Sequence, residues 1–179
     1  MRAVHLLMEL LIGCGNRRDK RLCLPGEAFE WSHLVTMDHD PNCGADVVGD
    51  LEEPWPFEAD SFDEVHAYEV LEHLGRQGDY KAFFRDFGEI YRVLKPRGHL
   101  FATCPSWKSS WCWGDPSHTR AMQPHHLVFL DQTEYADQVG KTYMTDFRWL
   151  WKGDFERVGC VDNGEEFKFV LKAHKPARV

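Results

Sequence analysis

The residues best spaced for chemistry lie in the first third of the chain. Gly13 and Gly15, in Ile-Gly-Cys-Gly-Asn (Ile12 to Asn16), follow an apolar run. They leave no side chain at the turn, so a ligand can lie against the backbone there. Asp38 ends a second apolar run, in Val-Thr-Met-Asp-His-Asp (Val35 to Asp40), at the place where a ribose hydroxyl would be met. Asp50 ends a third, in Asp-Val-Val-Gly-Asp-Leu (Asp46 to Leu51), and can present a carboxylate to the far end of the same ligand. The plain alternatives are a tight turn at the glycines and a solvated turn at Asp50. Asp38 alone would equally suit a nicotinamide site, but the Gly-x-Gly-x-x-Gly pattern fails at Arg18.

Further along, Glu69 follows a fourth apolar run. It reads either as an acid near the ligand or as a helix N-terminal acid stabilised by the dipole. Glu72 and His73 read as serving the start of that helix. His118, His125 and His126, with Asp115 and Cys112, form a histidine-rich region whose spacing matches no common ligand pattern, so no metal is expected there. His118 and Asp115 are candidate bases. Trp107, Trp111 and Trp113 suit an aromatic wall for a flat substrate, or else loop packing or a homodimer contact. The basic run Arg17, Arg18, Lys20 and Arg21 reads as solvated, with one member free to pair with a ligand carboxylate.

These residues need elements to hold them. Leu6 to Ile12 is nearly all apolar, as a strand buried on both faces must be, and Glu9 interrupts it. Asn16 to Leu22 reads as the start of a first helix, stopped early by Pro25 and Gly26. His33 to Met37 is a second strand, Ala45 to Val48 a short third and Ser61 to Tyr68 a turn and a fourth. Val70 to Leu74 begins a helix or a helical turn. Tyr80 to Leu94 is the clearest helix, with Phe83, Phe84, Phe87, Ile90, Tyr91 and Leu94 near a 3.6-residue period. Lys95 to Gly98 reads as a helix stop and tight turn, and His99 to Cys104 as a fifth strand. Ser106 to Arg120 reads as a loop and Pro124 to Val139 as helix-like. Phe155 to Val161 and Glu166 to Ala173 alternate as a hairpin does, with Asn163-Gly164 at its tip. The expected class is α/β: a Rossmann-like, doubly wound, mainly parallel sheet with an antiparallel C-terminal hairpin at one edge.

The 179 residues suit a single domain spanning 1–179. The net charge of −8 disfavours broad attachment to nucleic acid backbones. No apolar run reaches spanning length and no signal peptide is evident, so no membrane association is expected. The six cysteines are scattered without Cys-x-x-Cys spacing, which reads as reduced thiols in a cytoplasmic protein.

With these residues in view, the chain resembles the class I S-adenosylmethionine-dependent methyltransferases, in particular the small bacterial and phage form labelled methyltransferase type 11. The match runs in order through Ile12 to Asn16, then Met-Asp-His-Asp with Gly-Ala-Asp-Val-Val-Gly-Asp-Leu. It continues through Pro56 to Leu74 and through Tyr91 to Leu100; Asp-Pro-Ser-His-Thr-Arg (Asp115 to Arg120) also resembles a loop after the fifth strand of such enzymes. The resemblance implies S-adenosyl-L-methionine as cofactor and a small-molecule or protein methyl acceptor. It implies that Gly13, Cys14 and Gly15 line the methionine part and that Asp38 meets the ribose. Asp50 and Leu51 would border the adenine, and Glu69 would approach the methionine moiety and the substrate. The chain departs from the pattern at Leu11, where the family usually has an acid, at Arg18, and in having only Met1 to His5 ahead of the first strand. The last departure implies a less covered pocket. A methyltransferase-like binding or scaffold protein without turnover is the alternative.

Overall fold

Alternation along the strands decides which side of the sheet is apolar. The structure, a computed structural model, describes residues 6–179, so Met1 to His5 and any cover they supply lie outside it. Its seven strands form one sheet: β1 (Met8–Ile12), β2 (His33–Asp38), β3 (Val47–Val48), β4 (Phe62–Tyr68), β5 (Leu94–Pro105), β6 (Phe155–Asp162) and β7 (Glu166–Ala173), in the order β3-β2-β1-β4-β5-β7-β6. β1 to β5 run parallel, whereas β7 is antiparallel to β5 and to β6. The Rossmann-like sheet with its antiparallel C-terminal hairpin is thus as expected.

Leu10, Ile12, Met37, Val65, Ala67, Leu100, Ala102, Phe167, Phe169 and Leu171 belong to the main core. The helix α1 (Tyr80–Val93) brings Phe83, Phe84, Phe87, Ile90 and Val93 to that core at helical spacing. Asp79 caps it, its carboxylate accepting from the Ala82 N–H at 3.0 Å. Two short helices, α3 (Pro124–Val128) and α4 (Gln132–Gln138), add Leu127 and Tyr135. The helix-like stretch expected over Pro124 to Val139 is therefore two pieces. Another, α2 (Ser110–Gly114), interrupts the expected loop after β5. The expected turn at Lys95 to Gly98 lies inside β5, which absorbs it with Arg97 at φ 71° and a register shift between Phe62 and Glu64 of β4.

The main correction concerns the first crossover: Asn16 to Leu22 is not helical, and no helix occurs between β1 and β2. The cause is on the sheet's other face. Glu9 of β1 pairs in register with Glu64 of β4, placing two buried carboxylates side by side. Lys20 Nζ reaches both, at 2.5 Å from Glu9 Oε1 and 2.8 Å from Glu64 Oε2. Extending the chain over the sheet lets Lys20 neutralise them, which a surface helix would not. Burying such charges is costly unless they are paired, so this contact outweighs local helix propensity. Glu9, which looked out of place in an apolar strand, is the anchor of a polar layer.

His66 completes that layer. Its Nε2–H donates to Glu64 Oε2 at 2.9 Å, which leaves Nδ1 to accept from the Tyr68 hydroxyl at 2.6 Å. The Tyr68 oxygen in turn accepts the Arg21 and Leu22 backbone N–H groups, each at 3.1 Å. Burial opposes the charge on Glu64, but His66 and Lys20 overcome it and hold the carboxyl at about 2; burial holds the His66 imidazole below its ordinary value. Both shifts make stability fall as pH falls. Unfolded His66 takes up a proton that the buried ring refuses below its ordinary value. The Glu64 contribution is complete above its unfolded value of 4.5 and is lost as pH falls toward 2. Urea melts between pH 7 and 3 are expected to show a loss beginning near neutrality and steepening below pH 4.5. A Glu64→Gln/His66→Phe variant should show a flatter profile.

Candidate cofactor and acceptor site

Parallel strands bring their C-terminal ends to one rim, where a ligand can sit. Ile12 and Met37 are register partners, as are Asp38 and Val48, so Gly13, Asp38 and Asp50 lie at or just past the ends of three neighbouring strands. The turn is held by its own backbone. The Gly13 N–H donates to the Met37 carbonyl at 2.8 Å, and the Gly15 N–H to Asp38 Oδ2 at 2.7 Å. Gly13 and Gly15 have φ of 59° and 46°, the left-handed region. A β-carbon on Gly15 would meet nothing within 4 Å, so the space above it is open. A cavity of about 380 Å³ opens there, lined by Gly13, Cys14, Gly15, Tyr68, Glu69 and Arg21, with Leu11 and Asn16 to Arg17 at its edge.

Of the residues singled out from the sequence, Gly13, Cys14, Gly15 and Glu69 meet at this cavity. Asp38 is not among the lining residues but holds the turn that is. Its buried carboxylate accepts Gly15 N–H on one oxygen and Asp40 N–H, at 2.9 Å, on the other, and each oxygen keeps a second lone pair. Asp50 is exposed and accepts the Glu52 N–H at 2.8 Å, while Leu51 is buried in the main core. Glu69 has φ 57° and accepts from Thr103 Oγ1 at 2.7 Å. No helix begins at Glu69; a single 3₁₀ turn, Leu71–His73, follows. Burial pushes the Cys14 thiol up to about 11, against the pull of Arg18.

The basic run is mostly spoken for. Arg18 donates to the carbonyls of Gly15 and Cys43, at 2.7 and 3.1 Å, and so clamps the turn from which the family's third glycine is missing. Arg21 pairs with Glu166 at 2.9 Å and approaches Glu69 at 4.0 Å. Arg17 and Arg21 are the members of the basic run that reach the cavity, whereas Tyr68 is a lining residue that sequence reasoning did not single out. Tyr68 directly precedes Glu69, which was the available signal.

The histidine-rich region does not assemble as its sequence neighbourhood suggested. His126 lines a second cavity of about 160 Å³ with Tyr80, Phe83, Phe129, Phe147 and Arg120, and His125 lines a third. His118 instead joins His73, ring centroids 4.7 Å apart, beside Glu72. Burial pushes the Glu72 carboxyl up to about 8. Asp115 accepts from the Ser117 N–H and hydroxyl, which hold its carboxyl below the usual value and make it a weak base. Trp111 and Trp113 are 71% and 66% exposed.

Residues 10–102, over half of the chain, match the family described as "Methyltransferase domain". The chain belongs to this family of class I S-adenosylmethionine-dependent methyltransferases. The chain's fold is similar to that of solved structures. A methyltransferase from Archaeoglobus fulgidus, described as SAM-dependent, is 15% identical with a TM-score of 0.55, over 93% of this chain and 86% of that one. The putative methyltransferase complex with the Trm112 activator from Haloferax volcanii gives 14%, 0.59, 97% and 85%. The N-methyltransferase NodS from Bradyrhizobium japonicum, solved with S-adenosyl-L-homocysteine, gives 14%, 0.55, 93% and 78%. No curated protein sequence matches the chain. S-adenosylmethionine is the cofactor expected of the family. Among the described residues, no helix is long and apolar enough to cross a membrane.

Proposed function

We propose that this chain, acting as a single domain, binds S-adenosylmethionine at the glycine turn and transfers its methyl group to a small-molecule or protein acceptor. The observation that carries the reading is the hydrogen bond from the N–H of Gly15, which lines an open cavity, to Asp38, which joins the turn to the acid at one rim. When bound, the cofactor supplies an electrophilic methyl carbon on a sulfonium. This chain's part is alignment. Gly13, Cys14 and Gly15 would lie along the methionine portion, with Glu69 facing it. Asp38, through its remaining lone pairs, would accept from the ribose hydroxyls. Asp50 and Leu51 would border the adenine. His118 and Glu69 stand as candidates for a base, with Asp115 the weaker third, and the exposed tryptophans are candidates for acceptor contact. Calorimetry with S-adenosylmethionine, S-adenosylhomocysteine and NAD tests the cofactor. Binding of neither sulfur compound would end this reading.

Asp38→Ala is expected to weaken S-adenosylhomocysteine binding by about 1–3 kcal/mol, since it removes charged acceptors from both the ribose and the turn. Unchanged affinity would contradict the ribose assignment. The second reading is a cofactor-binding scaffold without turnover, favoured by Leu11 in place of the family's acid and by the absent helix behind the turn. Cofactor binding with no methyl release across an acceptor panel would favour it.

A further inference from the structure

We propose that Glu72, His73 and His118 form a binding site for a divalent transition-metal ion, with zinc the best match to the donor set. Each offers a donor atom, and the three atoms lie within 4.8 Å of one another. Donors on one zinc ion, bonded at about 2.0–2.1 Å, stand about 3.3 Å apart in tetrahedral geometry, so side-chain movements of about 1 Å would close the site.

The hydrogen bonding around the two rings points the same way. His73 Nδ1 lies 3.2 Å from the Ser117 carbonyl, and His118 Nδ1 lies 3.0 Å from the Trp111 carbonyl. A carbonyl accepts only, so each Nδ1 carries the proton and donates. Each Nε2 therefore keeps its lone pair. His73 Nε2 stands 4.0 Å from Glu72 Oε1. A backbone carbonyl that fixes the tautomer and aims the other nitrogen is the usual support of a metal-bound histidine. Glu72 supplies the independent observation. It is 1% exposed, and among the described residues its carboxyl oxygens are met only by the Glu72 N–H and the Cys104 thiol, neither in full hydrogen-bond geometry. A buried carboxylate so poorly partnered is costly, and a cation between it and the rings removes the cost. Two imidazoles and one carboxylate, with a position left open, are a zinc-type set.

Two other groups have ligand types but not the vacancy. Lys20 already sits between Glu9 and Glu64. In the group of Cys14, Asp38 and Cys43, the carboxylate already anchors the turn through two backbone N–H groups, its remaining lone pairs are those assigned above to the ribose, and burial disfavours the Cys14 thiolate. The proposed site is composed of the turn after β4 and the loop after β5. Glu69, which lines the glycine cavity, lies three residues before Glu72, so the ion would stand beside the methyl-transfer site proposed above. That placement rests on the cofactor reading; the ion site itself does not.

The test is cobalt and zinc titration of the whole chain, without cofactor. One equivalent of Co²⁺ is expected, with ligand-field bands of a four- or five-coordinate ion and no thiolate charge-transfer band. Zn²⁺ should displace it and raise the melting temperature, reversibly with EDTA. Glu72→Gln and His118→Ala should each weaken binding by more than about tenfold. Circular dichroism checks that both fold. Should either variant unfold, the spectrum and melting shift of the parent protein decide. No retained metal, a thiolate band, or equal retention by folded variants would overturn the proposal. S-adenosylhomocysteine calorimetry on metal-free protein keeps the readings apart, because loss of cofactor binding with metal binding intact removes only the methyltransferase reading.

Discussion

Lys20→Ala is expected to destabilise the fold by about 3–5 kcal/mol, the cost of leaving buried carboxylates without their counter-charge. The Lys20, Glu9 and Glu64 side chains are 3%, 0% and 5% exposed, so water does not replace the lost ammonium. The Ser32 N–H, at 2.5 Å, supports Glu9, but a backbone dipole does not balance two charges. The Lys20 ammonium also lies 5.4 Å from the Trp31 ring, so its removal loosens the far end of the crossover. Lys20→Met combined with Glu9→Gln and Glu64→Gln should recover much of the loss, since it removes both signs together. Chemical denaturation of the three proteins at neutral pH measures this. A Lys20→Ala loss under about 1 kcal/mol would mean that the pair behaves as a surface salt bridge, and the account of the crossover would be wrong.

The second large effect belongs to the turn. A β-carbon on Gly13 would stand 2.4 Å from Val70 Cγ2 and 2.9 Å from its Cγ1, at a backbone φ of 59°. Gly13→Ala therefore combines a left-handed backbone penalty of about 1–2 kcal/mol with an overpacking cost of about 1–3 kcal/mol. We expect about 2–5 kcal/mol of lost stability and a marked loss of S-adenosylhomocysteine affinity, because Val70 adjoins Glu69. Gly15→Ala is the control. It meets the backbone penalty but no neighbour within 4 Å, so it should lower stability by only about 1–2 kcal/mol. Equal losses from the two substitutions would contradict the close approach at Val70.

Local pattern made much of this molecule readable. The helix from Tyr80 and the hairpin around Asn163-Gly164 follow from 3.6- and 2-residue periods within single segments. The three strand ends with their glycines and acids were readable because each motif is short and sits at an element boundary. What escaped depends on distant partners. A run of arginines and lysines reads as solvated until Glu9 and Glu64 are seen beside each other on neighbouring strands. His118 was grouped with His125 and His126 because they are near in sequence, whereas the chain turns back after β5 and sets His118 against His73. No spacing rule links those two, since the fold alone sets their separation.

The irregular crossover has a consequence for anions at the turn. A helix beginning there would offer aligned peptide dipoles and a fan of N–H groups to a carboxylate. This chain has side-chain charges there instead: Arg17, and an Arg21 already paired with Glu166, with Asp19 and Glu69 on the same wall. Such charges act through solvent and are screened within about 8 Å at physiological ionic strength. An acidic group bound there would thus be held with a strength sensitive to the surrounding electrolyte, where a helix-capped pocket would be comparatively indifferent to it.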